Sequence, residues 1–180
     1  LMRNPYTINE SSNTTKGARV PQKNIFISHS SKDKAIVQLF VDDVLQLGAG
    51  IKPEQIFCTS IEDMGIKNGD DIRKHIHQNI KNADYSFLLI SNNYKKSEIC
   101  LNEMGAVWAY GNNVKLYLLP NTNFDCIGWL CNTRIAERID SSIALDELHE
   151  QLQQHYSLHN TSIKSWSRLR EKFLREIRTI

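Results

Sequence analysis

One short stretch of the chain sets a carboxylate among oily neighbours. Residues 97–111 read SEICLNEMGAVWAYG, with the period of an amphipathic helix that Ser97 caps. At about 100° per residue, Glu103 falls between Val107 and Tyr110, in an arc that also carries Ile99, Cys100, Met104, Ala106 and Trp108. Glu98, Asn102 and Gly105 form the polar arc. A carboxylate turned toward packed apolar surface loses hydration, at about 1.4 kcal/mol for each unit its pKa moves. It is then a structural group paired with an Arg or a backbone amide, or a group kept for chemistry. On this residue alone both readings stand.

The elements around it say what such a carboxylate would face. NIFIS (24–28) is a short apolar run suited to a strand covered on both sides. The helix after it starts at Ser30, where Ser30 and Asp33 have capping-box spacing, and carries Ile36, Phe40, Val44 and Leu47 until Gly48 and Gly50 stop it. QIFCT (55–59) is a second strand, followed by a two-glycine loop and a helix with the stripe Ile72, Ile76 and Ile80. DYSFLLIS (84–91) is the strongest strand and the expected centre of the sheet, VKLYLLP (114–120) a fourth, RIAERID (134–140) a weaker fifth. A helix from about Ser142 carries Leu145, Leu148, Leu152 and Tyr156. Strand and helix alternate throughout, so the expected architecture is α/β and flavodoxin-like: five parallel strands with helices on both faces. Such sheets bind ligands beyond the carboxyl ends of their strands, where strand order reverses. Ser28–Asp33, the loop from Thr59 to Gly69, and Ser97–Glu103 all converge on that edge.

Several chemistries fail on spacing. GAGIKP (48–53) ends a helix instead of following a strand, so it is no dinucleotide fingerprint, and neither GxxxxGK[ST] nor HExxH occurs. His75 and His77 lie two apart on a helix and point to different faces, so no metal is expected. A phosphorylatable receiver domain needs acidic residues where this chain has Ser28, His29 and Ser30, and an Asp where it has Ser91 and Asn92. A lone carboxylate is a poor kit for amide or phosphoester hydrolysis. It suffices where the leaving group is already activated, as is the pyridinium of NAD+, whose glycosidic bond breaks through an oxocarbenium-like state that a carboxylate stabilises.

Taken together, NIFISHSSKDK, IFCTS with GIKNGDDI, DYSFLLIS and SEICLNEMGAVW resemble a Toll/interleukin receptor (TIR) domain of the bacterial type, over about residues 23–158. The resemblance implies a flavodoxin-like fold, a mobile loop at 59–70 and, in enzymatic members, a catalytic glutamate on the third helix, matched by Glu103 in SxxCxxE. Such members cleave NAD+, as substrate with no cofactor, to nicotinamide and linear or cyclic ADP-ribose after self-association. It further implies Ser28, His29 and Ser30 at the nicotinamide-ribose end, with Thr59, Ser60 and Gly69 in the lid. Four residues before the glutamate, at a substrate-contacting position where the family often has Trp, this chain has Ile99. The serines have a plain alternative in helix capping and Gly69 in an ordinary turn. The rival to an NADase is a non-catalytic TIR-to-TIR interaction module.

Composition agrees with an ordinary globular domain. In 180 residues, 23% are charged with a net charge of +2, which does not mark a nucleic-acid binder. No apolar run approaches a membrane span and no signal-peptide pattern is present, so the expected location is cytoplasmic. The four cysteines, Cys58, Cys100, Cys126 and Cys131, form no CxxC pair and read as reduced thiols. Residues 1–22 lack apolar period and read as a flexible leader or linker. Residues 159–180 read as a separate amphipathic helix, with Ile163, Trp166, Leu169, Phe173, Ile177 and Ile180 in one stripe. Residues 161–180 hold six Lys or Arg against two Glu, and docking on the chain's own domain is favoured over a membrane surface because the stripe would otherwise be exposed.

Overall fold

Phe26 and Ile27, adjacent on one strand, bury their side chains in two different cores. Strand alternation demands this of a sheet covered on both faces. The computed structural model describes residues 25–58, 72–110, 113–126, 136–158 and 161–180. Its strands are β1 (Ile25–His29), β2 (Ile56–Cys58), β3 (Tyr85–Ile90), β4 (Asn113–Leu118) and β5 (Glu137–Arg138). All four neighbouring pairs are parallel, in the order β2-β1-β3-β4-β5. This is the flavodoxin-like order expected from the sequence, with β3 at the centre and the reversal between β1 and β3.

Four helices that are α-helical throughout surround the sheet with one that is not. They are α2 (Ile72–Asn82), α3 (Glu98–Tyr110), α4 (Ser142–Tyr156) and α5 (Ile163–Ile177). The fifth, after β1, begins as a 3-10 turn (Ser31–Asp33), becomes α1 (Lys34–Leu39) and continues as a π-helix (Phe40–Gly48). That change of winding corrects the expected stripe. A π-helix turns less per residue, with bonds from i to i−5 such as Ala49 N to Val44 O at 2.8 Å. The buried positions therefore run Val37, Phe40, Val41, Val44, Leu45 and Gly48, while Leu47 is 60% exposed.

One core lies between the sheet and α1, the π-helix, α4 and α5; the other lies under α2 and α3. The terminal helix belongs to the first core. Trp166, Phe173, Leu174 and Ile177 of α5 are buried, whereas Ile163 and Ile180 at the ends of its stripe are exposed. Trp166 lies so close to the π-helix that a Cβ on Gly48 would stand 2.6 Å from its ring. The indole stacks on His149 at 4.2 Å, and Trp166 Nε1 donates to Asp146 Oδ1 at 2.7 Å. Lys172 Nζ donates to both oxygens of the buried Asp43 carboxylate, at 2.8 and 2.9 Å. The leader 1–22, the loop 59–70 with Thr59, Ser60 and Gly69, and Cys131 lie outside the described residues.

Candidate active site

Parity along β1 decides which side chains can meet Glu103. Phe26 belongs to the core under α3, so Ser28, two residues on, points to the same side. His29 points to the other, with Ile25 and Ile27. Helix α3 starts where Ser97 Oγ accepts from Cys100 N at 3.3 Å. It turns Cys100, Glu103, Met104 and Val107 inward, the i, i+3, i+4, i+7 pattern of a buried stripe. Glu103 is only 3% exposed. The stripe is narrower than the arc read from the sequence, because α3 covers the sheet on one flank only: Ile99 is 64% and Trp108 53% exposed, with Leu101 and Tyr110 also outward.

Ser28 is the one described partner of the carboxylate. With Glu103 ionised, Ser28 Oγ donates to Oε2 at 2.5 Å. The second oxygen, Oε1, is buried and has no hydrogen-bond partner among the described residues. Ser28 Oγ also lies 2.9 Å from Tyr94 Oη, which is 3.0 Å from the carbonyl of Cys100. Tyr94 belongs to a 3-10 turn (Tyr94–Lys96) after β3 and is fully buried. Burial pushes the Glu103 carboxyl up from 4.5 to about 7, and the Ser28 hydrogen bond opposes it. No ion pair to Glu103 exists among the described residues, so the structural reading in which an Arg neutralises it finds no support there.

The other expected site residues divide. The His29 ring faces away from Glu103: Nδ1 donates to the carbonyl of Ser30 at 2.9 Å and Nε2 accepts from Cys58 Sγ at 3.1 Å. Desolvation lowers its pKa, so the ring is neutral and Cys58 is the thiol that donates. What His29 presents toward α3 is its carbonyl, which accepts from Cys100 Sγ at 3.3 Å. Burial raises the Cys100 thiol's pKa, so it remains a donor. Ser30 Oγ accepts from Lys32 N at 3.4 Å, the capping role. Asp33 does not complete a capping box; its carboxylate crosses to the loop after β3, accepting from Ser91 Oγ at 2.5 Å and Asn93 Nδ2 at 2.7 Å. Ile99, one turn before Glu103, stands in solvent rather than against it.

Sequence reasoning passed over Tyr94 and the Asp33 clamp. The available signal was SNNY at 91–94, a buried tyrosine at the end of the central strand where a polar loop needs none. Ser91 Oγ accepts from the Asn93 and Tyr94 amides at 3.1 and 3.0 Å, which aims the ring inward. The clamp therefore joins the two strand ends at the reversal of strand order, and the hydroxyls line up behind the carboxylate. A buried carboxyl with one oxygen held and one left over can stabilise positive charge, accept a proton or donate one.

Comparison with known proteins adds a family. A profile described as TIR domain matches residues 25–126. The chain is 36% identical over 152 residues to an uncharacterized protein, YddK, of Bacillus subtilis (strain 168), covering 84% of this chain and 56% of that protein. It is 31% identical over 90 residues to the probable 2' cyclic ADP-D-ribose synthase TcpO of Methanobrevibacter olleyae, covering 49% of this chain and 24% of that one. The chain thus spans about half the length of the first relative and a quarter of the second. Among solved structures, the TIR domain of the Toll-related receptor TRR-2 from Hydra magnipapillata superposes with a TM-score of 0.56 at 14% identity, covering 73% of this chain and 98% of that one. At that identity the match speaks to the fold.

Proposed function

The chain belongs to the TIR domain family, and on that premise we propose that it is an NAD+ glycohydrolase in which Glu103 is the catalytic carboxylate. The observation that carries the reading is the carboxyl itself: 3% exposed, held at one oxygen by Ser28 and unpartnered at the other among the described residues. An idle charge so buried destabilises a protein, and a positively charged substrate gives it a use. The Methanobrevibacter relative, a probable 2' cyclic ADP-D-ribose synthase, supports the same substrate class.

In this reading the ionised Glu103 faces the nicotinamide ribose. The bond between the anomeric carbon and the pyridinium nitrogen breaks, its electron pair leaves with neutral nicotinamide, and the carboxylate stabilises the oxocarbenium-like sugar until water or a hydroxyl of the same molecule attacks. The attacking group's proton passes to Glu103 or to solvent. Only the ionised form can do this, so nicotinamide release rises as pH passes through about 7, the value to which burial pushes the carboxyl. Ser28 holds Oε2, Ser30 shapes the adjoining turn, and Ile99, one turn before Glu103, stands in solvent. His29 acts through its backbone and its contact with Cys58.

A second reading, a TIR-to-TIR interaction module, is favoured by apolar side chains left exposed on the two flanks of the α3 buried stripe, Ile99 on one and Leu101 with Trp108 on the other. It is compatible with catalysis after self-association. The discriminating experiment is nicotinamide release from NAD+ by the wild-type chain, in dilute solution and clustered on beads, beside Glu103→Ala and Glu103→Gln. Release that both substitutions abolish in folded protein supports the NADase. No release in the clustered state, or release indifferent to Glu103, leaves the interaction module.

A further inference from the structure

Three oxygen-to-oxygen contacts run in series behind the catalytic candidate: Glu103 Oε2 to Ser28 Oγ at 2.5 Å, Ser28 Oγ to Tyr94 Oη at 2.9 Å, and Tyr94 Oη to the Cys100 carbonyl at 3.0 Å. Each hydrogen bond needs one proton. The two hydroxyls bring one each and the carbonyl brings none. An ionised Glu103 therefore leaves one of the three contacts without a proton, with two lone pairs facing each other. With a proton on Oε2, all three are made at once: Glu103 donates to Ser28, Ser28 to Tyr94, and Tyr94 to Cys100. This count holds whatever other contacts Tyr94 makes.

From this geometry we infer that Glu103 rests as the neutral acid at the head of a hydroxyl relay, and that Tyr94 is a positioning residue that sets when Glu103 ionises. Ionisation reverses the relay. Ser28 turns its proton to Oε2, Tyr94 turns its own to Ser28, and the Cys100 carbonyl gives up the Tyr94 bond while remaining within the backbone ladder of α3. The proton lost by Glu103 goes to water. A resting neutral acid also explains how Oε1 is tolerated with no partner among the described residues, since an unpaired buried carbonyl oxygen costs far less than an unpaired buried charge.

The surroundings leave this task to the relay. From β1, the titratable neighbour is His29, kept neutral by burial and turned to the far side. On α3 itself the neighbour is Cys100, whose thiol donates to the His29 carbonyl. From α2, His77 meets Tyr110 about two turns further along. Asp33 lies at the strand ends, engaged with Ser91 and Asn93. Among the described residues no Lys or Arg pairs with Glu103.

The two hydroxyls have different expected effects, which a merely structural role would not produce. Removing Ser28 Oγ takes two bonds from the neutral state; from the ionised state it takes the charged bond and the Tyr94 bond, but Tyr94 regains the Cys100 carbonyl. A charged hydrogen bond is worth about two neutral ones, so the losses nearly cancel and Ser28→Ala leaves the Glu103 midpoint nearly in place. Removing Tyr94 Oη takes two bonds from the neutral state and one from the ionised state. Tyr94→Phe therefore lowers the midpoint by about half to one pH unit, the net worth of one hydrogen bond. The measurement is an NMR titration of the full chain carrying 13C-labelled glutamate carboxyls, with Glu103 assigned by the signal that Glu103→Gln removes.

A wild-type midpoint near 7 that falls in Tyr94→Phe and stays nearly in place in Ser28→Ala supports the relay. A wild-type midpoint in the ordinary carboxylate range, or one that Tyr94→Phe leaves unchanged or raises, overturns it. Should Tyr94→Phe not fold, the Ser28→Ala titration decides, a clear rise of the midpoint being the refuting result, since it would make Ser28 a donor to the carboxylate alone. The consequence for turnover rests on the NADase reading, but the titration does not. A relay seen by NMR without nicotinamide release would remove the function and keep the device, and release without the Tyr94→Phe shift would do the reverse.

Discussion

Replacing Glu103 by Gln tests whether the protein carries a buried acid whose charge works against its fold. Gln has nearly the shape of a protonated Glu and cannot ionise. The carboxyl is pushed up from 4.5 to about 7 by burial, with the Ser28 hydrogen bond opposing. Between those two pH values the folded state binds a proton that the unfolded state has released. Stability from this group is therefore complete below about 4.5 and declines as pH rises through about 7. The shift corresponds to about 3 kcal/mol at 1.36 kcal/mol per unit. With the side chain 3% exposed, solvent screening takes little from that figure.

We expect Glu103→Gln to exceed wild type in unfolding free energy by about 3 kcal/mol more at pH 8 than at pH 4. For a chain of this size that difference is of order 10 °C in Tm. Urea titrations of both proteins at pH 4, 6, 7 and 8 measure it, and the double difference cancels any packing change between Gln and Glu. A difference that does not grow with pH, or that shrinks, would refute the claim that Glu103 is a raised, uncompensated carboxyl. The catalytic role would then lose its main physical support, since a charge comfortable in its site needs no other explanation.

Two further substitutions address the terminal helix. Gly48→Ala places a Cβ 2.6 Å from the Trp166 ring and 2.8 Å from the Asp43 carbonyl oxygen. Because the second obstacle is backbone, we expect a loss of about 1–3 kcal/mol, read by thermal unfolding; an unchanged Tm would mean that α5 is not seated there. Lys172→Met removes the cation from both oxygens of the buried Asp43. The urea midpoint should fall, and adding Asp43→Asn should recover part of the loss, since the cost lies in the unpaired charge; no recovery would assign the loss to something else.

Much of the fold was legible because alternation and period report burial directly. DYSFLLIS at 84–91 was the strongest strand in the sequence and the expected centre of the sheet, and the order of strands and helices left a parallel sheet as the economical solution. Glu103 was visible as an anomaly for the same reason, since a charge in an apolar stripe breaks a pattern. Leu47 was misread because a wheel assumes about 100° per residue and the π-helix does not turn that fast. Asp33 looked like a cap at the right spacing, but its partners lie 58 and 60 residues away, which no local rule addresses.

Local pattern thus determined the elements, their faces and the presence of a misplaced carboxylate, all of which depend on neighbours a few residues apart. Long-range placement determined everything that gives the carboxylate its character. Whether Ser28 or His29 meets it is a matter of strand parity relative to a helix 75 residues away. Tyr94 joins because a loop hydroxyl at Ser91 turns it inward. Terminal helix α5 became part of the core because the π-helix left a glycine-floored seat for its tryptophan. A pKa, likewise, is a sum over whatever surrounds a group in space, and the residues that surround Glu103 become neighbours only when the sheet is built.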